Sequence, residues 1–236
     1  MAHTSRLGLV HTVPALGAVF HDLVVEVAAH TGAVVEPIHV TDPWLLQTAM
    51  SDGVTPAVAH RLHSHVGHLR DQGAEAVLVT CSSLGEATEQ FSASGTTGGL
   101  PPVIRIDQAM ADRAVDVAGD GGRIAVLATV ESTIGPTVRL LQRSATQAGT
   151  TPRVETETLT DAGQARSTGD LERHDALVAR AARDWATPER ADVVVLAQAS
   201  MAHLAEPVTA EARVPVLSSP RLAVERLLAH VAQTFP

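Results

Sequence analysis

The chain has 236 residues, room for one large domain or for two lobes with substantial cores. Hydrophobic residues make up 45% of it and charged residues 18%, which excludes a disordered or low-complexity chain, and no apolar run approaches the roughly 18 to 20 residues of a membrane span. A net charge of −9 argues against nucleic acid or an anionic membrane surface as a partner, because both require a basic footprint.

The missing residue types narrow the chemistry further. There is no lysine, so neither a pyridoxal-phosphate Schiff base nor a P-loop lysine is possible. Tyrosine and asparagine are absent too, leaving Cys81, the twelve histidines and the carboxylates as candidate acids and bases.

Apolar runs of four to seven residues alternate with longer amphipathic segments and Gly/Pro punctuation, the pattern of βαβ units and parallel sheets. The first strand is expected over residues 6–11, with no basic leader before it. A cytoplasmic location is expected, and a single unpaired cysteine agrees with a reducing compartment. Further strands are expected over 34–39, 76–80, 102–106, 123–128, 153–158, 192–197 and 214–218. Helices are expected over 15–30, 55–72, 83–91, 107–118, 133–148, 169–186, 201–212 and 220–234. Residues 92–99, rich in Ser, Thr and Gly, read as a loop. Trp44, beside Leu45 and Leu46, reads as lid or core packing, and the glycines at 119–122 form a turn rather than a dinucleotide fingerprint.

The two halves repeat. At a shift of 117 residues, Arg6 to Val13 falls on Arg123 to Val130, and Ala74 to Leu84 falls on Ala191 to Met201. Pro102-Val103-Ile104 pairs with Pro215-Val216-Leu217 at a shift of 113, so each half reads as one four-strand α/β unit. Such a pair is expected to bring equivalent strand ends together where the lobes meet, a preferred place for ligand pockets. Cys81 then has Gln198 as its counterpart.

Cys81 ends the apolar run 76–80 at an expected strand-to-helix turn, where the following N–H groups and helix dipole favour a thiolate. A buried structural cysteine is the alternative. Thr12, Ser82, Ser83, Thr129, Ser132, Thr133 and Ser200 fall at other strand ends. Singly each reads as a helix cap; together they make an anion site, most simply for a carboxylate. His11 ends the first strand and is a candidate acid/base partner or a satisfied structural histidine. His60, His63, His65 and His68 project in different directions around a helix, so no metal site is expected from them.

These motifs resemble the aspartate/glutamate/hydantoin racemase superfamily, whose members include arylmalonate decarboxylase and maleate isomerase. The carrying residues are Leu9-Val10-His11-Thr12, Val79-Thr80-Cys81-Ser82-Ser83, Leu127-Ala128-Thr129-Val130-Glu131-Ser132 and Leu196-Ala197-Gln198-Ala199-Ser200, and the resemblance runs from Arg6 to about Leu228. It implies two pseudo-symmetric Rossmann-like lobes with the active site at their interface. The expected division is 1–107, joined by the C-terminal helix 220–236, against 108–219. It also implies cofactor-independent chemistry at an acidic carbon, in which one cysteine removes the α-proton and a second, on the opposite face, returns one. Here Gln198, or Ala199 with a one-residue slip, occupies the second cysteine's place, so only the first of the two catalytic cysteines is present. Glutamine cannot supply a proton in the required range. The tyrosine that some relatives use in the carboxylate pocket has Glu131 in its place.

The expectation is therefore a racemase or isomerase of a small carboxylate, with Cys81 as base or nucleophile, Gln198 and His11 as further candidates, and the strand-end hydroxyls binding the anion. A one-cysteine lyase or decarboxylase, or a non-catalytic small-acid binder, are the alternatives. No cofactor or metal is expected, and a homo-oligomer is.

Overall fold

A computed structural model describes residues 3–93 and 99–234. Among them the order is β1 (Thr4–His11), α1 (Leu16–Thr31), β2 (Val34–Thr41), α2 (Pro43–Asp52), α3 (Pro56–Asp71), β3 (Ala76–Val79), α4 (Gly85–Ala93), β4 (Val103–Arg105), α5 (Gln108–Ala118), β5 (Arg123–Ala128), α6 (Glu131–Ala148), β6 (Arg153–Thr158), α7 (Thr160–Ser167), α8 (Leu171–Trp185), β7 (Val193–Leu196), α9 (Ala205–Glu211), β8 (Val216–Ser218) and α10 (Ser219–Thr234). Short 3-10 turns over Ser82–Leu84 and Ala199–Leu204 precede α4 and α9. Of the loop expected over 92–99, residues 94–98 lie outside the described residues, while Ser92 and Ala93 end α4.

Two four-stranded parallel sheets result, ordered β2-β1-β3-β4 and β6-β5-β7-β8. Close packing divides the chain into residues Met1–Asp107 with Pro220–Pro236, and Gln108–Ser219. The repeat is visible in the register: Leu7 pairs with Ala76 and Ile124 with Val193, Arg6 with Glu36 and Arg123 with Arg153. Helix ends repeat it too, since α1 and α6 stop at left-handed glycines, Gly32 and Gly149.

The central strands β1, β3, β5 and β7 are apolar and almost wholly buried because helices cover both faces of each sheet there, whereas the edge strands β2 and β6 are half-buried to exposed. In the first unit Leu7, Leu9, Ala76 and Leu78 pack under α1 and α10 with Phe20, Val24, Val224 and Leu227. Alternate residues Val10, Val77, Val79 and Cys81 pack under α2, α3 and α4 with Leu45, Leu62, Val66 and Leu84. In the second unit Ala125, Leu127, Val194 and Leu196 pack against α7, α8 and α9.

Two helices escaped the sequence reading, α2 and α7, and they are equivalent under the 117-residue shift. Each follows the second strand of its unit almost without a loop. The signal for α2 was present: Asp42 accepts a hydrogen bond from Trp44 N at 3.2 Å and Pro43 takes the first helical position. Trp44 is 38% exposed whereas Leu45 is buried, so the core contact belongs to the leucine. The helices expected over 83–91 and 201–212 begin instead as 3-10 turns, and the one expected over 169–186 starts at Leu171. On α3, Val58, Leu62, Val66 and Leu69 face inward and His65 flanks them, while His60, His63 and His68 are exposed.

Candidate functional site

In both sheets the chain runs from the first strand to one side, then crosses back to the other. Such a reversal leaves a crevice beyond the carboxyl ends of the two central strands, where open α/β sheets bind ligands. The central strands are β1 and β3 in the first sheet, β5 and β7 in the second.

In the first sheet Val10 pairs with Val79, and Thr80 N donates to Val10 O at 3.0 Å. Thr12 and Cys81 each lie two residues beyond that last pair, flanking the reversal. Cys81 has extended backbone (φ −126°, ψ 112°), caps the 3-10 turn, and its carbonyl accepts from Leu84 N at 3.1 Å. The thiol is free and 9% exposed, packed among Val79, Leu84 and Leu45. Thr12 is buried, Ser82 half-buried and Ser83 exposed.

Behind the turn, Arg105 at the end of β4 is only 6% exposed. It donates to Asp107 at 2.6 and 2.9 Å and is ion-paired with Glu89 of α4. Burial works against its charge, but these two carboxylates outweigh that and raise its pKa. The guanidinium lies where a Cβ on Gly85 would be, 2.3 Å from Nη2, so the glycine makes room for it at the start of α4. This buried arginine ties α4, which follows directly on the Cys81 turn, to the end of β4.

His11 is not brought to the thiol. Its ring is fully buried on the α1 side, 5.8 Å from the Phe20 ring, whereas Cys81 packs on the α3 side. Both ring nitrogens are engaged. Thr80 Oγ1 gives its own hydrogen to Val10 O at 3.1 Å, so His11 Nδ1–H must donate to Thr80 Oγ1, at 2.9 Å. His11 Nε2 then accepts from His39 Nδ1–H at 2.9 Å, and His39 Nε2 from His21 Nδ1–H at 3.3 Å. Burial and the neighbouring His39 hold the pKa of His11 down at about 4, and that of His39 is lowered by burial and His21. The histidines form a line from the exposed His21 inward, and metal ligands must instead converge. Among the described residues no group of three or more His, Cys, Asp or Glu side chains is placed to hold a metal ion.

Asp42, beyond the end of β2, was missed in the sequence. It is buried, accepts from Arg61 Nε at 2.5 Å and His65 Nε2 at 2.6 Å, and its own N–H donates to His11 O at 2.9 Å. Burial pushes its carboxyl up, but the Arg61 and His65 hydrogen bonds outweigh that and hold it below the usual range. Arg61 also lies over the Trp44 ring, 4.9 Å from its centroid.

The second sheet repeats the geometry with different chemistry. Leu127 pairs with Leu196, and Ala197 N donates to Leu127 O at 2.9 Å, which puts Thr129 and Gln198 in the places of Thr12 and Cys81. Gln198 Oε1 accepts from Thr129 N at 2.6 Å and from Thr129 Oγ1 at 2.9 Å. Thr129 was expected to donate to an anion, but both of its donors go to Gln198. Gln198, Ala199, Ser200 and Thr133 are half-buried and Ser132 is exposed. Glu131 is exposed and accepts from Thr158 Oγ1. A cavity of about 520 Å³ near the end of β6, lined by Glu157, Asp161, Leu177, Arg180 and Arg190 among others, includes neither Thr129 nor Gln198.

The fold recurs in solved structures. A Yersinia pestis protein assigned as an Asp/Glu racemase superimposes with a TM-score of 0.71 at 18% identity, over 97% of this chain and 100% of the other. Arylmalonate decarboxylase gives 0.59 at 18% identity, over 95% and 91%. The maleate isomerase of Pseudomonas putida gives 0.58 at 14% identity, over 98% and 93%. No curated protein matches the sequence at a significant level. The family model described as Asp/Glu/Hydantoin racemase matches residues 17–227, and the chain therefore belongs to the Asp/Glu/hydantoin racemase family.

Proposed function

We propose that the chain is a cofactor-independent enzyme, a racemase or isomerase in type, acting on a small carboxylate whose α-hydrogen is acidified by its own acid group. The observation that carries this reading is Cys81 beside the reversal point of the first sheet, with Thr12 across from it. The thiolate takes the α-proton, and the electron pair left on carbon spreads into the substrate's carboxylate. Hydroxyls and backbone N–H groups of Thr12, Ser82 and Ser83 stabilise that charge. Ser132, Thr133, Ala199 and Ser200 stand at the equivalent strand ends of the second sheet, where hydroxyls and the half-buried Ala199 form a further polar edge. The intermediate is quenched when a proton returns to carbon, from the Cys81 thiol with configuration kept or from a solvent water on the other face with inversion. His11 takes no part in the transfer, because its ring is turned to the opposite face of the sheet and both nitrogens are engaged.

A second reading, one-sided chemistry such as decarboxylation, is favoured by Gln198 in the place equivalent to Cys81, since an amide carries no proton for transfer at neutral pH. The two readings differ in stereochemical outcome. Small carboxylates incubated with the enzyme in D₂O are to be followed by NMR for α-hydrogen exchange and by polarimetry for handedness. Exchange with inversion identifies a racemase; exchange or CO₂ release with handedness retained identifies one-sided chemistry. A folded Cys81→Ser protein that turns over normally would remove the thiol from the mechanism, and binding without exchange or release in the wild type would leave a small-acid binder.

A further inference from the structure

We propose that Gln198 is a specificity-determining hydrogen-bond donor, locked in one orientation by Thr129, and that it selects ligands presenting a carboxylate or carbonyl oxygen at the carboxyl edge of the second sheet. This rests on the proposed reading of the chain as acting on a small carboxylate.

The orientation follows from what a backbone amide can do. Thr129 N–H can only donate, so the Gln198 atom 2.6 Å from it is the carbonyl oxygen. The same oxygen takes the Thr129 hydroxyl hydrogen at 2.9 Å. With Oε1 fixed by two donors from one residue, the amide cannot flip without giving up both. Its Nε2 hydrogens are therefore aimed away from Thr129, and no acceptor among the described residues takes them. Thr129 is itself held: it is buried, and a Cβ on Gly163 would lie 2.4 Å from its carbonyl oxygen, so α7 closes directly onto it.

The consequence is chemical selection. A half-buried primary amide that has spent its oxygen offers hydrogens alone. It rewards an oxygen acceptor and opposes an ammonium or guanidinium at the same point. At the equivalent place in the first sheet stands a thiol. One edge thus carries a group that can move a proton and the other a group that can only bind, with Thr129 as the positioning residue behind it.

Malonate, which offers carboxylate oxygens and no ammonium, is the probe, with binding measured by calorimetry. Gln198→Glu keeps an oxygen for the Thr129 donors but replaces the outward NH₂ with a second, anionic oxygen. Loss of a hydrogen bond to a charged group corresponds to roughly 10- to 100-fold weaker malonate binding. Thr129→Val, which removes one of the two locking donors, is expected to weaken binding about 3- to 10-fold, and Thr129→Ser to restore it. A second readout does not depend on the fold of a variant: the Gln198 side-chain NH₂ resonances of the wild type shift on malonate addition. Malonate binding that is absent in the wild type, unchanged in a folded Gln198→Glu protein, or without effect on those resonances would overturn the assignment. Cys81→Ser separates this inference from the proposed chemistry. Malonate binding retained there with turnover lost supports both. Normal turnover in Cys81→Ser with binding lost in Gln198→Glu sinks the thiol mechanism and leaves the donor standing.

Discussion

Cys81 and Gln198 occupy equivalent places at the ends of equivalent strands, yet their surroundings treat them differently. Gln198 is tied to Thr129 by two hydrogen bonds, while the Cys81 thiol sits among apolar side chains just before α4, the helix that Arg105 pairs with through Glu89. Conversion of Cys81 to Ser should lower turnover by at least about 10³-fold with little change in stability, because a hydroxyl replaces the thiol but ionises far less readily. Steady-state kinetics beside urea melts check it. The arginine is open to an equally specific test. Gly85→Ala places a methyl group where the Arg105 guanidinium lies and forces it out of its pair with Asp107. The expected cost is about 2 kcal/mol in urea unfolding, with activity falling further than stability alone explains, since α4 begins directly after the turn that carries the thiol. The thiol and the amide were legible in the sequence because the repeat and the family motifs both point to them. The hydrogen bonds from Thr129 to Gln198 were not, since a rotamer and a partner cannot be read from a string of letters.

The histidine line ties three elements together: α1 through His21, β2 through His39 and β1 through His11. Its protonation state carries a pH dependence whose sign is fixed. His11 is held neutral in the fold with a pKa near 4, whereas in the unfolded chain it takes its proton near 6.5. Between those values the unfolded state binds more protons, so stability is full above about pH 7 and falls as pH drops towards 4. This group alone accounts for roughly 3 kcal/mol over that window, and His39 adds to it in the same direction. Urea midpoints at pH 7 and pH 4.5 should show the loss, and His11→Gln, which cannot titrate, should flatten it. Helix α7 gives the second prediction at this scale. Gly163→Ala would drive a Cβ to 2.4 Å from the Thr129 carbonyl oxygen, a backbone atom with nowhere to go. A loss of about 3 kcal/mol is expected, read by thermal melting, together with weaker malonate binding through the disturbed Thr129. Most elements were legible because their apolar runs are short, continuous and bounded by Gly or Pro. The exceptions, α2 and α7, start almost directly after a strand, where no run of turn residues marks the change of period. The end of β2 also hid Asp42, whose partners Arg61 and His65 lie on the next helix but one.

Across the whole chain the division of the fold does not follow chain order. Helix α10 follows β8 of the second sheet but packs into the first unit, burying Ala223, Val224, Leu227, Leu228 and Val231 against Leu7, Leu9 and Phe20. Removing residues 220–236 would bare that face of the first sheet. At about 1.5 kcal/mol or more for each large side chain, the four Val and Leu residues represent roughly 6 kcal/mol, comparable to the whole stability of many domains. A chain truncated after Ser219 is expected to lose amide-exchange protection in β1 and β3 first, and a mass-spectrometric exchange experiment would show whether it does. Among the described residues no helix is long and apolar enough to cross a membrane.

By itself the sequence determined the α/β class, the parallel strands, the doubled four-strand unit, the family and the two residues at the equivalent strand ends. Those are properties of period, spacing and residue type, which local chemistry writes directly into the order of the letters. Only the tertiary structure decided that His11 faces away from Cys81, that Thr129 spends its donors on Gln198, and that a buried arginine at the end of β4 pairs with the helix following the cysteine turn. Each of these depends on which side of a sheet a side chain takes and which distant atom it meets there. Sequence fixes the place of the thiol; packing decides what stands beside it.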